Sequence, residues 1–300
     1  MRLIDTGRPG IVRLAFGGDG RLLLATATDH DLTVWDWVAG EAVLSLARCS
    51  LDAQPALSAD SRFLACFAPD FRVHRTDRQP PLVTPSRGEP GSGELVGGAA
   101  FSPDGKSLVA TQYAHPFDRY TSGRLVRWST SNWQPQPGFA IWPPFDRLAF
   151  DRGGQYLAGI NPVRFELRFA VSGGLNGWAV PGANVRSRQM HLTFAPGGGQ
   201  VAFGWHTELH IMDVGPGKVV KVISDMKQAF RDVAFTADGR RLATVSDDGT
   251  IAFHDMQTWK ITQRFDWNSG PLRCLAFSPD GACGVCGTVD GKLIIFDMEE

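Results

Sequence analysis

The most constraining feature of the sequence is a 35-residue segment, Arg231 to Phe265, that predicts four short strands. Apolar residues alternate in RDVAF, and LATVS, TIAFHD and WKITQRF supply three further strand-forming stretches. Turns are predicted at Ala237-Asp238-Gly239 and Asp247-Asp248-Gly249, where glycine tolerates positive φ. A single sheet of this size is marginally stable because neither face is covered, so the rest of the chain must supply neighbours.

The same pattern recurs along the whole chain. The segments VRLAFGGDGRLLLATATDHDLTVWDW and LRCLAFSPDGACGVCGTVDGKLIIFDM repeat it with the same spacing, 16 residues from the turn Gly to the Asp that ends the third strand. Weaker copies fill the middle, each with an apolar anchor in its first strand. The anchors are Phe16, Leu57, Phe101, Phe150, Phe194, Phe235 and Phe277. Six steps over 261 residues give a period of 43 or 44.

A period of this length with four strands per unit is typical of a propeller blade, and seven units make a closed ring. The SPDG turns at 102–105 and 278–281, the TADG turn at 236–239 and the Trp35-Asp36 dipeptide resemble the WD-repeat (WD40-type) β-propeller family. The resemblance covers essentially the whole chain. The fold class is therefore predicted as all-β, a single seven-bladed propeller of four-stranded antiparallel blades.

One domain, residues 1–300, is predicted, because a closed ring of repeats is a single unit. The repeats are placed approximately at 11–46, 54–84, 97–134, 146–180, 190–223, 230–265 and 271–300, with a lone strand at 2–5. The last repeat has only three strands. We therefore expect strand 2–5 to pair against Lys292–Asp297 and close the ring, as the family resemblance also implies.

Each blade's first strand is expected to line the central channel. The residue before each anchor is small: Ala15, Ala56, Ala100, Ala149, Thr193, Ala234 and Ala276. Because strand residues alternate between faces, the anchor and its small neighbour should point into different gaps between blades.

The charge balance and the cysteine content limit the classes of binding partner and the cellular compartment that the sequence predicts. With 30 basic and 31 acidic residues, nothing favours nucleic acid or an anionic membrane. No run of 18 apolar residues and no apolar signal core at the N-terminus are found. Five cysteines do not form a disulfide framework, so a cytoplasmic location is expected.

Blades 2 to 4 depart from the repeat. They carry Arg75, Ser129 and Ala170 where the other repeats end the third strand with Asp, and blade 3 inserts eight residues within QYAHPFDRYTSG. The linkers entering blades 3 and 4 are long and rich in Pro or Gly. Loops between second and third strands lie on the same face of a propeller as the linkers. The insertions should therefore gather on one face, over blades 2 to 4.

No catalytic or metal-binding motif is recognised, and no cofactor is predicted. Cys283 and Cys286 are three residues apart on one strand, so they should point to opposite faces and act as packing residues. His206 and His210, four strand positions apart, are some 13 Å from each other, too far for one metal ion.

The repeating aspartates are interpreted as structural. In the family, the Asp of the hairpin turn joins a network with a His of the preceding linker, but those linkers contain no His here. The hairpin aspartates should therefore satisfy backbone groups alone, while Asp255 and Asp297 should accept backbone hydrogen bonds where their strands end. The structural set is Asp29, Asp36, Asp213, Asp248, Asp255, Asp290 and Asp297.

Two functions from different classes remain open. The first, which the resemblance implies, is a non-catalytic scaffold for a protein or peptide partner. The second is an enzyme or a small-molecule or peptide-binding protein with its site at the channel mouth, built from residues such as Arg119, Arg164, Arg186, Arg188 and His206. Three or more carboxylates or histidines converging at the mouth would favour the second.

For the first function, a partner-binding surface is predicted where aromatic residues and an arginine gather above blades 3 to 5. Its members are Tyr113, His115, Phe117, Arg119, Tyr120, Trp142, Trp205 and His206, with Phe145 in the same linker as Trp142. The alternative interpretation is that these aromatic side chains pack a small core beneath the insertion.

Overall fold

The described part of the chain forms seven four-stranded antiparallel sheets arranged as blades. The computed structural model describes residues 1–51, 53–67, 71–83, 96–113, 123–137, 145–169, 177–181, 190–205, 207–224 and 230–298. In each of blades 1 to 6, four strands consecutive in the chain pair in sequence order, and blade 7 has the order β1-β28-β27-β26. The prediction of a seven-bladed, all-β propeller is confirmed.

The strands of each blade follow in chain order, with β1 (Arg2–Asp5) assigned to blade 7. Blade 1 contains β2 (Ile11–Phe16), β3 (Leu22–Ala27), β4 (Leu32–Asp36) and β5 (Glu41–Leu46). Blade 2 contains β6 (Ala56–Leu57), β7 (Phe63–Phe67), β8 (Phe71–Arg75) and β9 (Arg78–Val83). Blade 3 contains β10 (Val96–Phe101), β11 (Ser107–Tyr113), β12 (Gly123–Ser129) and β13 (Pro135–Gln136). Blade 4 contains β14 (Arg147–Phe150), β15 (Tyr156–Asn161), β16 (Arg164–Phe169) and β17 (Gly177–Pro181).

The remaining blades have strands of five or six residues. Blade 5 contains β18 (Met190–Phe194), β19 (Gln200–Trp205), β20 (Glu208–Asp213) and β21 (Lys218–Ile223). Blade 6 contains β22 (Phe230–Phe235), β23 (Arg241–Ser246), β24 (Thr250–Asp255) and β25 (Ile261–Asp266). Blade 7 contains β26 (Leu272–Phe277), β27 (Cys283–Thr288) and β28 (Lys292–Asp297), completed by β1.

The turn between the first and second strands is built by the Ser/Thr-x-Asp sequence that marks the repeat. In blade 7 the Ser278 hydroxyl donates to Asp280 Oδ1 at 2.5 Å and accepts the N–H of Cys283 at 3.0 Å. Asp280 Oδ1 also accepts the N–H of Ala282 at 3.0 Å. The equivalent carboxylates of blades 2, 3 and 6 also accept one hydrogen bond from a Ser or Thr hydroxyl and one from a backbone N–H. They are Asp60, Asp104 and Asp238. The motif therefore satisfies the turn's polar groups with its own side chains.

These turns predict a loss of stability in acid. The Ser102 and Ser278 hydroxyls lower the pKa of Asp104 and Asp280, respectively. For Asp60 and Asp238, partial burial is the largest single effect and raises the pKa. The hydrogen bonds from hydroxyl and backbone N–H groups together lower it by more, so the pKa of both carboxyl groups lies below its ordinary value. A carboxylate whose folded pKa lies below the unfolded value of about 3.9 stabilises the fold above that value, and this is lost as pH falls through the folded pKa.

The melting temperature should therefore be constant from pH 7 to 5 and fall between pH 4 and 2. Replacing Asp104, Asp238 and Asp280 together by Asn removes three of the titrating groups, so the variant should show a shallower acid decline. An equally steep decline in that variant would show that other groups cause it.

Seven hydrophobic clusters occupy the described core, one in each gap between neighbouring blades. Phe101 packs between blades 2 and 3 while Ala100 packs between blades 3 and 4. Phe235 and Ala234 likewise lie in different gaps. The prediction that anchor and small residue serve opposite faces is confirmed for these blades.

The ring closes through β1. Arg2, Leu3, Ile4 and Asp5 pair with Ile295, Ile294, Leu293 and Lys292, in that order. The contact continues beyond the strand, where the Thr6 hydroxyl donates to the Gly291 carbonyl at 2.5 Å. Ile4 is buried in the cluster between blades 7 and 1. The predicted closure is confirmed.

Candidate functional site

Polar side chains recur at one position of the first strands, three residues before each anchor. The residues at this position, in blade order, are Arg13, Gln54, Gly98, Arg147, His191, Asp232 and Cys274. Because the first strands are the innermost, this position encircles the axis of the ring. Five of the seven blades thus bring a polar or charged side chain towards the same axis.

In three blades, a bulge adds a further side chain next to this position. The register of first and second strands shifts between Ile11 and Arg13, between Phe230 and Asp232, and between Leu272 and Cys274. The extra residues are Val12, Arg231 and Arg273. A bulge breaks the alternation of side chains and redirects the extra one. Two additional arginines are therefore placed beside the polar position.

A cavity of about 290 Å³ lies on the axis, lined by residues at or just before the first strands of six blades and by Leu24 of β3. Its charged lining residues are Arg13, Arg147, Arg231 and Asp232. Arg231 forms an ion pair with Asp247, in the turn between the second and third strands of blade 6. Arg13 Nη2 donates to the Leu51 carbonyl, in the linker between blades 1 and 2, at 2.6 Å. These contacts place the arginines at the channel mouth on the face of linkers and hairpin turns.

The cations at the mouth are incompletely compensated. Burial lowers the pKa of Arg147, although the Asp232 and Asp146 carboxylates oppose this. Burial, and after it the Arg273 charge, lowers the pKa of Arg231. Arg231 Nε and Asp247 Oδ1 are also buried without a hydrogen-bond partner among the described residues. The mouth therefore holds strong donors that an incoming anion would satisfy.

The remaining polar groups tie first strands of different blades together, blade 6 to blade 7 and blade 2 to blade 4. Asp232 Oδ2 accepts the N–H of Leu275 at 3.0 Å, and Gln54 Oε1 accepts the N–H of Leu148 at 3.1 Å. His191 is 2% exposed, and its Nδ1 lies 3.9 Å from Asp232 Oδ1. Asp232 is the one carboxylate in the described lining of the cavity. The cluster of three or more carboxylates or histidines that would favour an enzyme is not formed by the described lining.

The structure places few residues of the predicted partner surface. Trp205 is buried, 2% exposed, between blades 4 and 5, and its indole N–H donates to the Asn161 carbonyl at 2.8 Å. Its expected place on the partner surface is wrong, because this strand faces a neighbouring blade rather than solvent. Phe145 is also buried. Outside the described residues lie His115, Phe117, Arg119, Tyr120, Trp142, His206 and the side chain of Tyr113, so their role stays a prediction.

Of the arginines suggested for the channel mouth, only Arg164 is described. It pairs with Glu166 at 3.0 Å and does not line the cavity. Arg119, Arg186 and Arg188 lie outside the described residues. The arginines actually found at the mouth were missed by the sequence argument. Comparing the position three residues before each anchor across the repeats would have found Arg13 and Arg147.

The aspartates that end the third strands act as predicted where the structure describes their partners. Asp255 Oδ1 accepts the N–H groups of Gln257 at 3.1 Å and Thr258 at 2.7 Å. Asp36 accepts the N–H of Ala39, whereas Asp213 accepts the side-chain amide of Gln200 instead. For Asp297, the equivalent positions 299 and 300 lie outside the described residues.

The hairpin aspartates differ from the prediction that they satisfy backbone alone. Asp248 accepts the Thr250 N–H at 2.9 Å, but also the hydroxyls of Thr250 and Ser246. Asp290 binds the Thr288 hydroxyl and the Lys292 ammonium group. Asp29 accepts the N–H of Asp31 and lies 3.6 Å from Arg8. The second strands of blades 6 and 7 end in Ser or Thr, which supplies the donor that was overlooked.

The cysteine prediction is confirmed. Cys283 packs in the gap between blades 7 and 1, and Cys286 in the gap between blades 6 and 7. Burial raises the pKa of both thiols. Within the described residues, no group of three or more His, Cys, Asp or Glu side chains is placed to hold a metal ion. The described chain also has no helix long and apolar enough to cross a bilayer.

Fold and site together define a closed β-propeller with a polar channel mouth. Comparison with known proteins gives matches to the family model "WD domain, G-beta repeat" at residues 217–255 and 259–297, which cover the last two blades. The chain is thus a seven-bladed β-propeller, and the segments that form most of its last two blades match the WD repeat.

Three relatives illustrate the similarity. Pre-mRNA-processing factor 19 of Bos taurus is 34% identical over 94 residues, 31% of this chain and 19% of that protein. WD repeat-containing protein SL1-17 of Schistosoma mansoni is 26% identical over 110 residues, 36% of each chain. WD repeat and SOCS box-containing protein 1 of Danio rerio is 39% identical over 66 residues, 21% of this chain and 14% of that protein. The match thus spans about a fifth of the first relative.

Proposed function

We propose that this propeller is a non-catalytic protein-interaction scaffold whose channel mouth receives an acidic segment of a partner protein. The observation that carries the proposal is the convergence of Arg13, Arg147 and Arg231 around one cavity with a single lining carboxylate. WD-repeat propellers are protein-interaction scaffolds, so the proposal adds the location and the charge of the recognised segment. Nucleic acid and membrane are not proposed as partners, and the cytoplasmic location stays a prediction.

The geometry favours carboxylates as the recognised groups. Guanidinium groups bind carboxylates through paired, charge-assisted hydrogen bonds. Burial already weakens the hydration of Arg147 and Arg231, so an incoming carboxylate meets donors whose desolvation is partly complete. Arg273 adds a charge beside Arg231 and makes no hydrogen bond or ion pair within the described chain.

The test is binding of a fluorescein-labelled octapeptide of alternating Glu and Gly, followed by fluorescence anisotropy. We expect Arg273→Gln to weaken binding roughly tenfold, corresponding to about 1.4 kcal/mol, with an unchanged melting temperature. Arg240→Gln is the matched control, because Arg240 is an exposed arginine on the first turn of blade 6. Equal affinity in wild type, Arg273→Gln and Arg240→Gln would contradict the proposal.

The alternative, a small-molecule-binding protein or enzyme at the same mouth, is favoured by the cavity volume of about 290 Å³. This is near the lower end of ordinary ligand pockets, which begin at about 300 Å³. Succinate distinguishes the two functions. If succinate binds as tightly as the octapeptide, the mouth recognises a small dicarboxylate rather than a protein segment.

A further inference from the structure

A second cleft lies between blades 6 and 7, and residues other than the mouth arginines build its charge. Two adjoining cavities, of about 70 and 360 Å³, share Arg241 and Met298 in their walls. Aromatic rings line the smaller cavity, and carboxylates of the first turns of both blades line the larger one. The cleft thus joins an aromatic wall to an acidic one.

The aromatic wall centres on Trp267. Its ring lies 6.2 Å from that of Phe265, with 9° between their planes, and 5.0 Å from that of Phe296. Phe253 and Phe296 are buried, whereas Phe265 and Trp267 are half-buried and remain accessible in part. The face of an aromatic ring carries negative potential and attracts cations, most strongly for tryptophan.

The acidic wall carries more charge than its cations balance. Asp238 and Asp280 line the larger cavity and Asp297 the smaller one, against two positive charges, on Arg241 and on the exposed N-terminal ammonium group of Met1. Arg241 is already engaged, since its Nη1 donates to Gln263 at 2.7 Å and its guanidinium lies 5.0 Å from the centre of the Phe253 ring. Asp297 is exposed and makes no ion pair or hydrogen bond with a described residue.

Asp280 and Asp297 lie close enough to act on the same group. Burial is the main cause that raises the pKa of the Cys283 thiol, and a hydrogen bond with the Ser278 hydroxyl opposes it. The Asp280 and Asp297 carboxylates both raise this pKa further. The hydroxyl of Ser278 holds the pKa of Asp280 below its usual value, so the Asp280 carboxylate is ionised at neutral pH. The two walls therefore favour a ligand with an apolar stem and a positive end.

We propose that this cleft binds a lysine-type side chain carried by an extended segment of a partner protein. The hydrocarbon stem packs against Trp267 and Phe265, and the ammonium group lies towards Asp297. A lysine stem has four methylene groups and bears a compact charge, which suits the narrow aromatic cavity. N-methylated lysine shares this chemistry. The site goes beyond the acidic segment proposed for the channel mouth, because it selects the opposite charge.

The experiment measures anisotropy of a labelled octapeptide of alternating Lys and Gly, its N-trimethyl-lysine form and the Glu–Gly octapeptide. Trp267→Ala should weaken binding of the Lys–Gly peptide roughly fivefold, the upper range for a partly exposed cation–π contact. Asp297→Asn should also weaken it roughly fivefold, the upper range for an exposed ion pair. Trp267→Phe should retain most of the affinity. Tighter binding of the trimethyl form would identify methylated lysine as the ligand, and weaker binding would identify the unmodified side chain.

Two controls keep the result independent of the channel mouth and of folding. Asp36→Asn changes the equivalent residue of blade 1, and Arg273→Gln changes the mouth, so neither should weaken the Lys–Gly peptide. Asp297 is exposed, so its Asn variant should melt at the wild-type temperature even if Trp267→Ala does not. Unchanged Lys–Gly affinity in the folded Asp297→Asn variant, or no binding of either lysine peptide to wild type, would overturn the proposal.

Discussion

A protein lacking residues 1–8 should no longer be a stable monomer. The deletion removes all four backbone pairs between β1 and β28 and the Thr6 contact with Gly291. It also takes Ile4 out of the core between blades 7 and 1, a loss of about 2–5 kcal/mol on its own. The uncovered edge of β28 would then be free to pair with another molecule, so we expect a lower melting temperature and association in sedimentation experiments.

Leu3→Ser is the control for this deletion. Leu3 lies on the same strand but is 52% exposed, and its backbone pairing does not depend on the side chain. This variant should remain monomeric and melt close to the wild type. A truncated protein that is monomeric with an unchanged melting temperature would show that β1 does not hold the ring closed.

Gly291→Ala should be the most damaging of three matched glycine substitutions. Gly291, Gly249 and Gly105 all have positive φ, at 83°, 81° and 69°. A Cβ at Gly105 would meet nothing within 4 Å, and at Gly249 it would lie 2.9 Å from the Gly270 carbonyl oxygen. At Gly291 it would overlap the carbonyl oxygen of Arg8, in the closing segment.

The three variants therefore separate backbone strain from steric overlap. Gly105→Ala should cost about 1–2 kcal/mol, the cost of left-handed backbone alone. Overpacking adds a further 1–3 kcal/mol, so Gly291→Ala should cost roughly 2–5 kcal/mol, with Gly249→Ala between them. Denaturant midpoints with unchanged slopes give these values. Equal costs at all three positions would show that strain dominates and that the closing segment adapts to the added methyl group.

The repeat made the fold predictable from sequence. The spacing of turn glycine and strand-ending aspartate fixes strand lengths, and the missing fourth strand of the last repeat requires β1 to supply it. The opposite gaps of Cys283 and Cys286 followed from strand alternation alone. These predictions needed only local geometry.

The site was less predictable because it depends on which blades face one another and on local breaks in alternation. Arg13 and Arg147 come from different blades and meet only in the closed ring. The bulges at Arg231 and Arg273 break the period of two, so pattern alone misassigns these side chains. Trp205 was placed on the predicted partner-binding surface, but it belongs to β19 and the adjacent blade covers it.

Photocrosslinking tests most directly whether the channel mouth receives an acidic protein segment. The Glu–Gly octapeptide would carry one benzoylphenylalanine, and mass spectrometry would locate the attached residues. The proposed function predicts crosslinks at residues 12–15, 231–235 and 275–277, lost in excess unlabelled peptide and reduced in Arg273→Gln. Crosslinks confined to outer strands such as β5, β21 and β25 would contradict it.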